Sequence, residues 1–258
     1  IRGAVLRQVY ERLYARFGPR HWWPAETPLE VVVGAILTQD TAWANVERAL
    51  DRLRAEGLLE FEALRSVPES RLKELIRPAG YYNQKARYLT ALIQFLDKEC
   101  GGDLARFFSQ DVAALRAKLL KLPGIGPETA DSMLLYAGGL SVFVVDAYTF
   151  RIFSRLKLVP AGASYGSVQG FFTQTLPHDP ALFNAYHALI VELGKRICRP
   201  EPRCEECPLL HLPCPRRPVV PGIVLQPHGG WMRPAVSGGT RLTTRTSGWD
   251  NPATISRE

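Results

Sequence analysis

Between residues 4 and 17 the side chains Leu6, Val9, Tyr10, Leu13, Tyr14 and Phe17 recur at intervals of three and four. That period gathers them on one face of a helix and on no single face of a strand. It returns at Trp43, Val46, Leu50 and Leu53, then over 71–76, 84–96 and 112–120, and again over about 128–137, 147–156, 165–175 and 181–197. Pro, Gly and Asp punctuate the intervals, as they do where helices stop and start. Leu29 to Thr38 is apolar almost throughout, and its helical neighbours favour a buried helix over a strand. With no alternating stretch left over, the sequence predicts an all-α fold of roughly ten helices joined by short loops.

A chain of 258 residues with 46% hydrophobic content can bury a substantial core. No apolar run reaches the roughly 18 residues of a membrane span, and Ile1-Arg2-Gly3-Ala4 lacks the core of a signal peptide. The expectation is a soluble, cytoplasmic monomer with no membrane partner, whose natural start lies upstream of Ile1. The net charge of +7 and pI near 9.3 point to a polyanionic partner. Residues 215–258, however, carry six arginines against Asp250 and Glu258, leaving only +3 for residues 1–214. Those last 44 residues hold six Pro and six Gly without apolar periodicity, a composition that predicts a disordered tail. DNA binding must therefore be argued from local geometry.

That geometry centres on Leu122-Pro123-Gly124-Ile125-Gly126-Pro127-Glu128-Thr129-Ala130. Two glycines one residue apart, each free to take positive φ, allow a tight reversal between helices. Gly126 can cap a new helix with Pro127 at its first position and Ala130, Met133 and Leu134 on its apolar face. The orphan N–H groups of such a helix start suit a phosphate. Further on, Asp146 follows the apolar run Val144-Val145 and precedes a helical segment, which makes it a candidate N-cap.

Four of the five cysteines, Cys198, Cys204, Cys207 and Cys214, fall in one loop spaced C-x5-C-x2-C-x6-C. Thiolates so gathered can ligate a [4Fe-4S] cluster or a structural zinc. Zinc sites more often use two C-x2-C pairs, and only one is present, so the iron–sulfur cluster is favoured. Arg196, Arg199, Arg203, Arg216 and Arg217 give this loop a basic rim. Cys100 stands apart as a semi-buried thiol.

Together, the hairpin Leu122 to Gly126, the following Val145-Asp146 and the four-cysteine loop resemble the endonuclease III branch of the helix-hairpin-helix DNA glycosylases, over about residues 4–214. The resemblance implies a helical barrel of residues 27–140, with the helix-hairpin-helix at about 112–137. It also implies a second lobe of residues 1–26 plus 141–214 around the cluster, with a groove for double-stranded DNA between the lobes. In a prokaryote such a protein would be nucleoid-associated. By the same resemblance Asp146 is the catalytic carboxylate, able to stabilise positive charge on the sugar and orient water. Leu122, Gly124, Ile125, Gly126 and Thr129 would hold the DNA backbone, and Gln39 would fill the place of a flipped base.

Lyase members carry a lysine two residues after the second hairpin glycine. Here that residue is Glu128, which cannot form an imine, so the resemblance implies hydrolysis by water unless Lys118 or Lys121 substitutes. As a charge in a helix first turn Glu128 would contribute on the order of 0.3 to 1 kcal/mol. Trp22, Trp23, Trp43, Tyr82 and Lys85 complete the candidate base pocket, with Trp43 the foremost stacking ring; such rings hold a base with about 1 to 3 kcal/mol each. The combination His21-Trp22-Trp23-Pro24 with Leu37-Thr38-Gln39-Asp40-Thr41-Ala42-Trp43 is most similar to the 3-methyladenine glycosylase branch, which usually reads Gln-Asn where this chain reads Gln39-Asp40. The adenine-mismatch branch places a glutamate where this chain has Gly34. A positively charged alkylpurine has a weakened glycosidic bond and suits an aromatic pocket with one carboxylate. The expected activity is excision of an alkylated purine. The alternatives are a bifunctional pyrimidine glycosylase/lyase and a non-catalytic iron–sulfur DNA-binding protein.

Overall fold

The computed structural model describes residues 2–20, 22–212 and 214. The expected disordered tail at 215–258 lies outside them, as does His21. Twelve α-helices are described: α1 Arg2–Phe17, α2 Pro28–Leu37, α3 Trp43–Ala55, α4 Phe61–Ser66, α5 Glu69–Leu75, α6 Tyr82–Cys100, α7 Leu104–Phe108, α8 Val112–Leu119, α9 Pro127–Ser132, α10 Ala147–Arg155, α11 Tyr165–Thr173 and α12 Pro180–Arg196. No strand occurs among the described residues. The helices α4 and α7 escaped the sequence reading because five or six residues are too few to show a period. The expected helix at 128–137 also changes form, since it widens into a π-helical turn over Met133–Ala137.

Sequence sets six of the helix starts directly. The side chains of Thr27, Asp103, Asp111, Asp146, Ser164 and Asp179 each accept a hydrogen bond from a backbone N–H in the first turn, each cap contributing about 1 kcal/mol. Every residue of α2 from Leu29 to Leu37 is buried, which explains the unbroken apolar run. Its one acid, Glu30, accepts from the Glu26 N–H at 2.6 Å and from Arg54 at 3.0 Å, so the buried carboxylate is compensated.

The apolar side chains form two clusters. One draws on α2 through α9 and closes with Ile125, Ala130, Met133 and Leu134. The other joins Leu6, Val9 and Leu13 of α1 to Phe143–Val145 and to α10, α11 and α12. The N-terminal helix reaches this distant company because Leu6 to Leu13 packs against α12, where Tyr186 donates its hydroxyl to the Leu6 carbonyl at 2.8 Å.

Asp131 fastens the clusters together. Fully buried on α9, it accepts two bonds from Arg116 of α8, at 2.6 and 3.1 Å. Those bonds reach one oxygen each, and Tyr165 and Gln169 of α11 also donate to Oδ2, at 2.6 and 2.7 Å. A carboxylate removed from water is tolerable only with such complete pairing.

Candidate active site

Asp146 caps α10 and is completely buried. Its Oδ1 accepts from both the backbone N–H and the hydroxyl of Thr149 at 2.7 Å. Its Oδ2 lies 3.4 Å from Nε2 of His187 on α12. Burial alone would push the carboxyl upward, but the imidazole and the two bonds from Thr149 outweigh it and hold the group below the usual carboxylate range. The arrangement presents an ionised carboxylate in a water-poor setting. His187 continues through Nδ1 to the hydroxyl of Tyr136, at 2.5 Å. Burial keeps that phenol protonated well above its ordinary range, and the nearby charges of Asp146 and Glu128 add to the effect.

Tyr136 leads to the tryptophans. Its ring centroid lies 5.3 Å from that of Trp23, which meets Trp43 edge-on at 5.4 Å, while Trp22 lies 6.0 and 6.1 Å from the other two. Trp22 packs on the second apolar cluster, Trp23 and Trp43 on the first, so the aromatic group spans both. Gly34 makes room for it: a Cβ there would stand 3.2 Å from the Trp23 indole nitrogen. The Lys195 ammonium sits 5.6 Å from the Trp22 ring centroid. Burial lowers its affinity for the proton, against the opposing pull of Glu192, Asp146 and Glu47.

Two of the residues expected at the pocket make contacts of their own. Lys85 does not present its ammonium to a ligand; it is buried and donates to the carbonyls of Leu37 and Ala79, both at 2.9 Å. Its work is to close the end of α2. Tyr82 packs on the first cluster beneath the Arg77 guanidinium, 5.7 Å from the ring centroid. Glu128 occupies the first turn of α9, where its charge bears on Tyr136 and Tyr165. Of the amines considered as substitutes, Lys118 is paired with Glu99 and Gln110.

The hairpin between α8 and α9 is present, with one difference from expectation. Gly124 takes φ +75°, whereas Gly126 is extended at φ −88° and serves as the N-cap. Gly124 also has no room for a side chain, since a Cβ would fall 2.2 Å from the Tyr88 ring. Ile125 and Thr129 are buried and Leu122 packs on the first cluster. The side chains of Ile125 and Thr129 anchor the turn, and any grip on a phosphate at these positions falls to backbone N–H groups. Gln39 is tied to the same turn, donating to the Gly124 carbonyl at 2.8 Å and to the Thr129 hydroxyl at 3.0 Å.

Cys198, Cys204, Cys207 and Cys214 line one cavity of about 100 Å³ with Ile152, Arg155, Leu156, Leu193, Leu209 and Leu210. None of the four is joined in a disulfide. Burial, followed by the proximity of the other three, pushes Cys207 up to about 11. No three His, Cys, Asp or Glu side chains among the described residues converge closely enough for one metal ion. Four cysteines around one cavity offer the donor type that either an iron–sulfur cluster or a structural zinc takes. Arg155 donates to Cys198 Sγ at 3.2 Å and to the carbonyls of Arg199 and Pro200 at 2.6 and 2.9 Å. Arg151 donates to the carbonyls of Cys198 and Gly194 at 2.7 and 3.0 Å. These two arginines, like His187, Tyr136, Asp131 and Lys195, belong to no local motif and were invisible in sequence.

The family described as HhH-GPD superfamily base excision DNA repair protein matches residues 33–178. An inferred DNA repair glycosylase of Methanocaldococcus jannaschii is 47% identical over 207 residues, covering 80% of this chain and 94% of that protein. A non-covalent endonuclease III–DNA complex superposes with a TM-score of 0.71 at 26% identity, covering 83% of this chain and 95% of the other. The H. pylori 3-methyladenine DNA glycosylase bound to 1,N6-ethenoadenine gives 0.65 at 28% identity, covering 76% and 97%. No helix among the described residues is long and apolar enough to cross a membrane.

Proposed function

The chain belongs to the HhH-GPD superfamily of base excision DNA repair proteins, and from that premise we propose that it is a monofunctional DNA glycosylase releasing an alkylated purine from duplex DNA. The observation that carries this reading is the aromatic group Trp22, Trp23, Trp43 and Tyr136, joined through His187 to the buried carboxylate of Asp146. Stacked rings bind an electron-poor base through its face. The carboxylate then stabilises the positive charge that develops on deoxyribose as the glycosidic bond breaks, and orients water at the sugar. Because Asp146 is fully buried, the flipped nucleotide reaches it only as the surrounding side chains part.

Residues 27–140 and residues 1–26 plus 141–214 form the two lobes in this reading, with DNA between them and the Gly124–Gly126 turn on its backbone. Gln39 releases its hold on that turn to fill the vacated stack. Glu128 supports hydrolysis over imine chemistry, since the position offers no amine.

The four cysteines fit a [4Fe-4S] cluster by donor type and by lining one cavity. Held by these four cysteines, a cluster would cross-link the end of α12 to the loop carrying Arg199 and Arg203. Arg155 and Arg151 hold that loop in shape through its carbonyls.

Duplexes carrying single lesions, with each released base identified chromatographically, test the substrate. Release of 3-methyladenine or 1,N6-ethenoadenine is expected. Release of oxidised pyrimidines alone, accompanied by strand cleavage without heat or alkali, would overturn the reading.

A further inference from the structure

The reading of Asp146 as the reacting carboxylate leaves a question of orientation. Thr149 fixes Oδ1 with two short bonds, but a carboxylate held by one oxygen can still rock about its Cβ–Cγ bond. A second polar neighbour of the carboxylate comes from another helix. His187 projects from α12 with only a few per cent of its side chain exposed, its Nε2 facing Oδ2 of Asp146 at 3.4 Å.

Which nitrogen carries the proton follows from the neighbour on the far side. Tyr136 keeps its hydroxyl proton because burial disfavours the phenolate, and that hydroxyl lies 2.5 Å from Nδ1. If the hydroxyl donates to Nδ1, the neutral ring carries its proton on Nε2, directed at the carboxylate. The opposite tautomer would set the Nε2 lone pair against a carboxylate oxygen inside the protein, where like partial charges are poorly screened.

We propose that His187, set in its tautomer by Tyr136, is a positioning residue for Asp146, holding Oδ2 through Nε2–H so that the carboxylate stays oriented for the sugar. The three residues come from three places, namely the π-helical turn, the N-cap of α10 and α12. Their packing therefore tunes a catalytic group that none of them carries alone. The π-helical turn has a part here, since it carries Tyr136 between Trp23 on one side and His187 on the other.

The test uses the full chain and three variants, His187→Leu, His187→Gln and Tyr136→Phe. Single-turnover base release is measured on methylated duplex DNA, with binding to a duplex containing a tetrahydrofuran abasic analogue measured alongside. Loss of a hydrogen bond to a charged group predicts a fall of about 10- to 100-fold in release for His187→Leu. Binding should stay within about twofold by the same reasoning, as no DNA contact is removed. His187→Gln, which keeps an N–H donor, should recover most of the rate, and Tyr136→Phe should show a smaller loss.

Unchanged release in His187→Leu would overturn the proposal. So would parallel loss of release, binding and thermal stability in the Leu and Gln variants alike, which would mark a packing role only. An activity-independent readout separates this inference from the glycosylase reading. The 15N resonances of His187 should report a protonated Nε2 and an acceptor Nδ1, with Asp146→Asn moving the first and Tyr136→Phe the second. A protonated Nδ1 in the neutral ring overturns the inference even if base release is robust. The expected resonances support it even if methylated DNA is not a substrate.

Discussion

The side-chain amide of Gln39 donates to the carbonyl of Gly124 at 2.8 Å, joining residues 85 positions apart. This bond ties the end of the buried helix α2 to a turn where positive φ and close packing coincide. It fixes the hairpin relative to α2, which has Trp22 and Trp23 before it in the chain and Trp43 after it. Two bonds from Lys85 to the carbonyls of Leu37 and Ala79 brace the same helix end.

Gly124→Ala is expected to damage both stability and DNA affinity. An alanine at φ +75° strains the backbone, and its Cβ would displace the Tyr88 ring from 2.2 Å. Together these cost about 2 kcal/mol or more. Urea unfolding measures the first effect and fluorescence anisotropy with a duplex the second. Gly126→Ala, at φ −88°, should be milder in stability because the backbone there is ordinary.

Asp146→Asn should reduce base release by about 100-fold or more while leaving duplex binding within a few-fold. The amide keeps the cap on α10 in shape but loses the charge. Single-turnover kinetics with a parallel binding titration decides the matter. Retained release in this variant would remove Asp146 from the chemistry.

Lys85 gives the fold a pH signature. Burial lowers its ammonium to about 8, against 10.5 for a free lysine, with Asp40 opposing the shift. Between these values the unfolded chain holds the proton and the folded chain releases it, so stability should rise as pH increases from about 8 to 10.5. Below pH 8 both states are protonated and this contribution is flat. Denaturant unfolding at several pH values should show the rise, and Lys85→Met should abolish its slope.

The same lysine marks the limit of what sequence conveys. Helical period, caps and turn glycines are local properties, and they give the all-α class, most helix positions and the hairpin. The cysteine spacing and Asp146 after Val144-Val145 are also local, so both stood out. Lys85 and Tyr82 lay beside the right aromatic segment in sequence, yet burial against the first cluster decides where their side chains go. His187 and Tyr136 come together only because α12 packs across the π-helical turn, and nothing near either residue announces it. Nothing local marks Asp131 either, because the groups that bond it arrive from α8 and α11.

Cys207→Ser should lower bound iron and the accompanying visible absorption in protein purified without oxygen. Arg155→Leu should do so less severely. The serine removes a donor from the cavity, whereas the leucine removes the bonds to Cys198, Arg199 and Pro200 that shape it. Zinc in place of iron in the wild-type protein would replace the cluster reading with a structural ion.

Glu128 supplies the sharpest division between hydrolysis and elimination. With a carboxylate in the first turn of α9, the wild-type protein should leave no covalent adduct when borohydride is added to its complex with an abasic duplex. Glu128→Lys places an amine at that position, beside the buried hydroxyls of Tyr136 and Tyr165 on which the carboxylate now bears. Partial burial at this position favours the neutral, nucleophilic amine. The variant should therefore yield a borohydride-trapped adduct and strand cleavage, both visible on a denaturing gel. A wild-type protein that traps would locate a nucleophilic amine elsewhere in the site and would end the monofunctional reading, whatever the variant does.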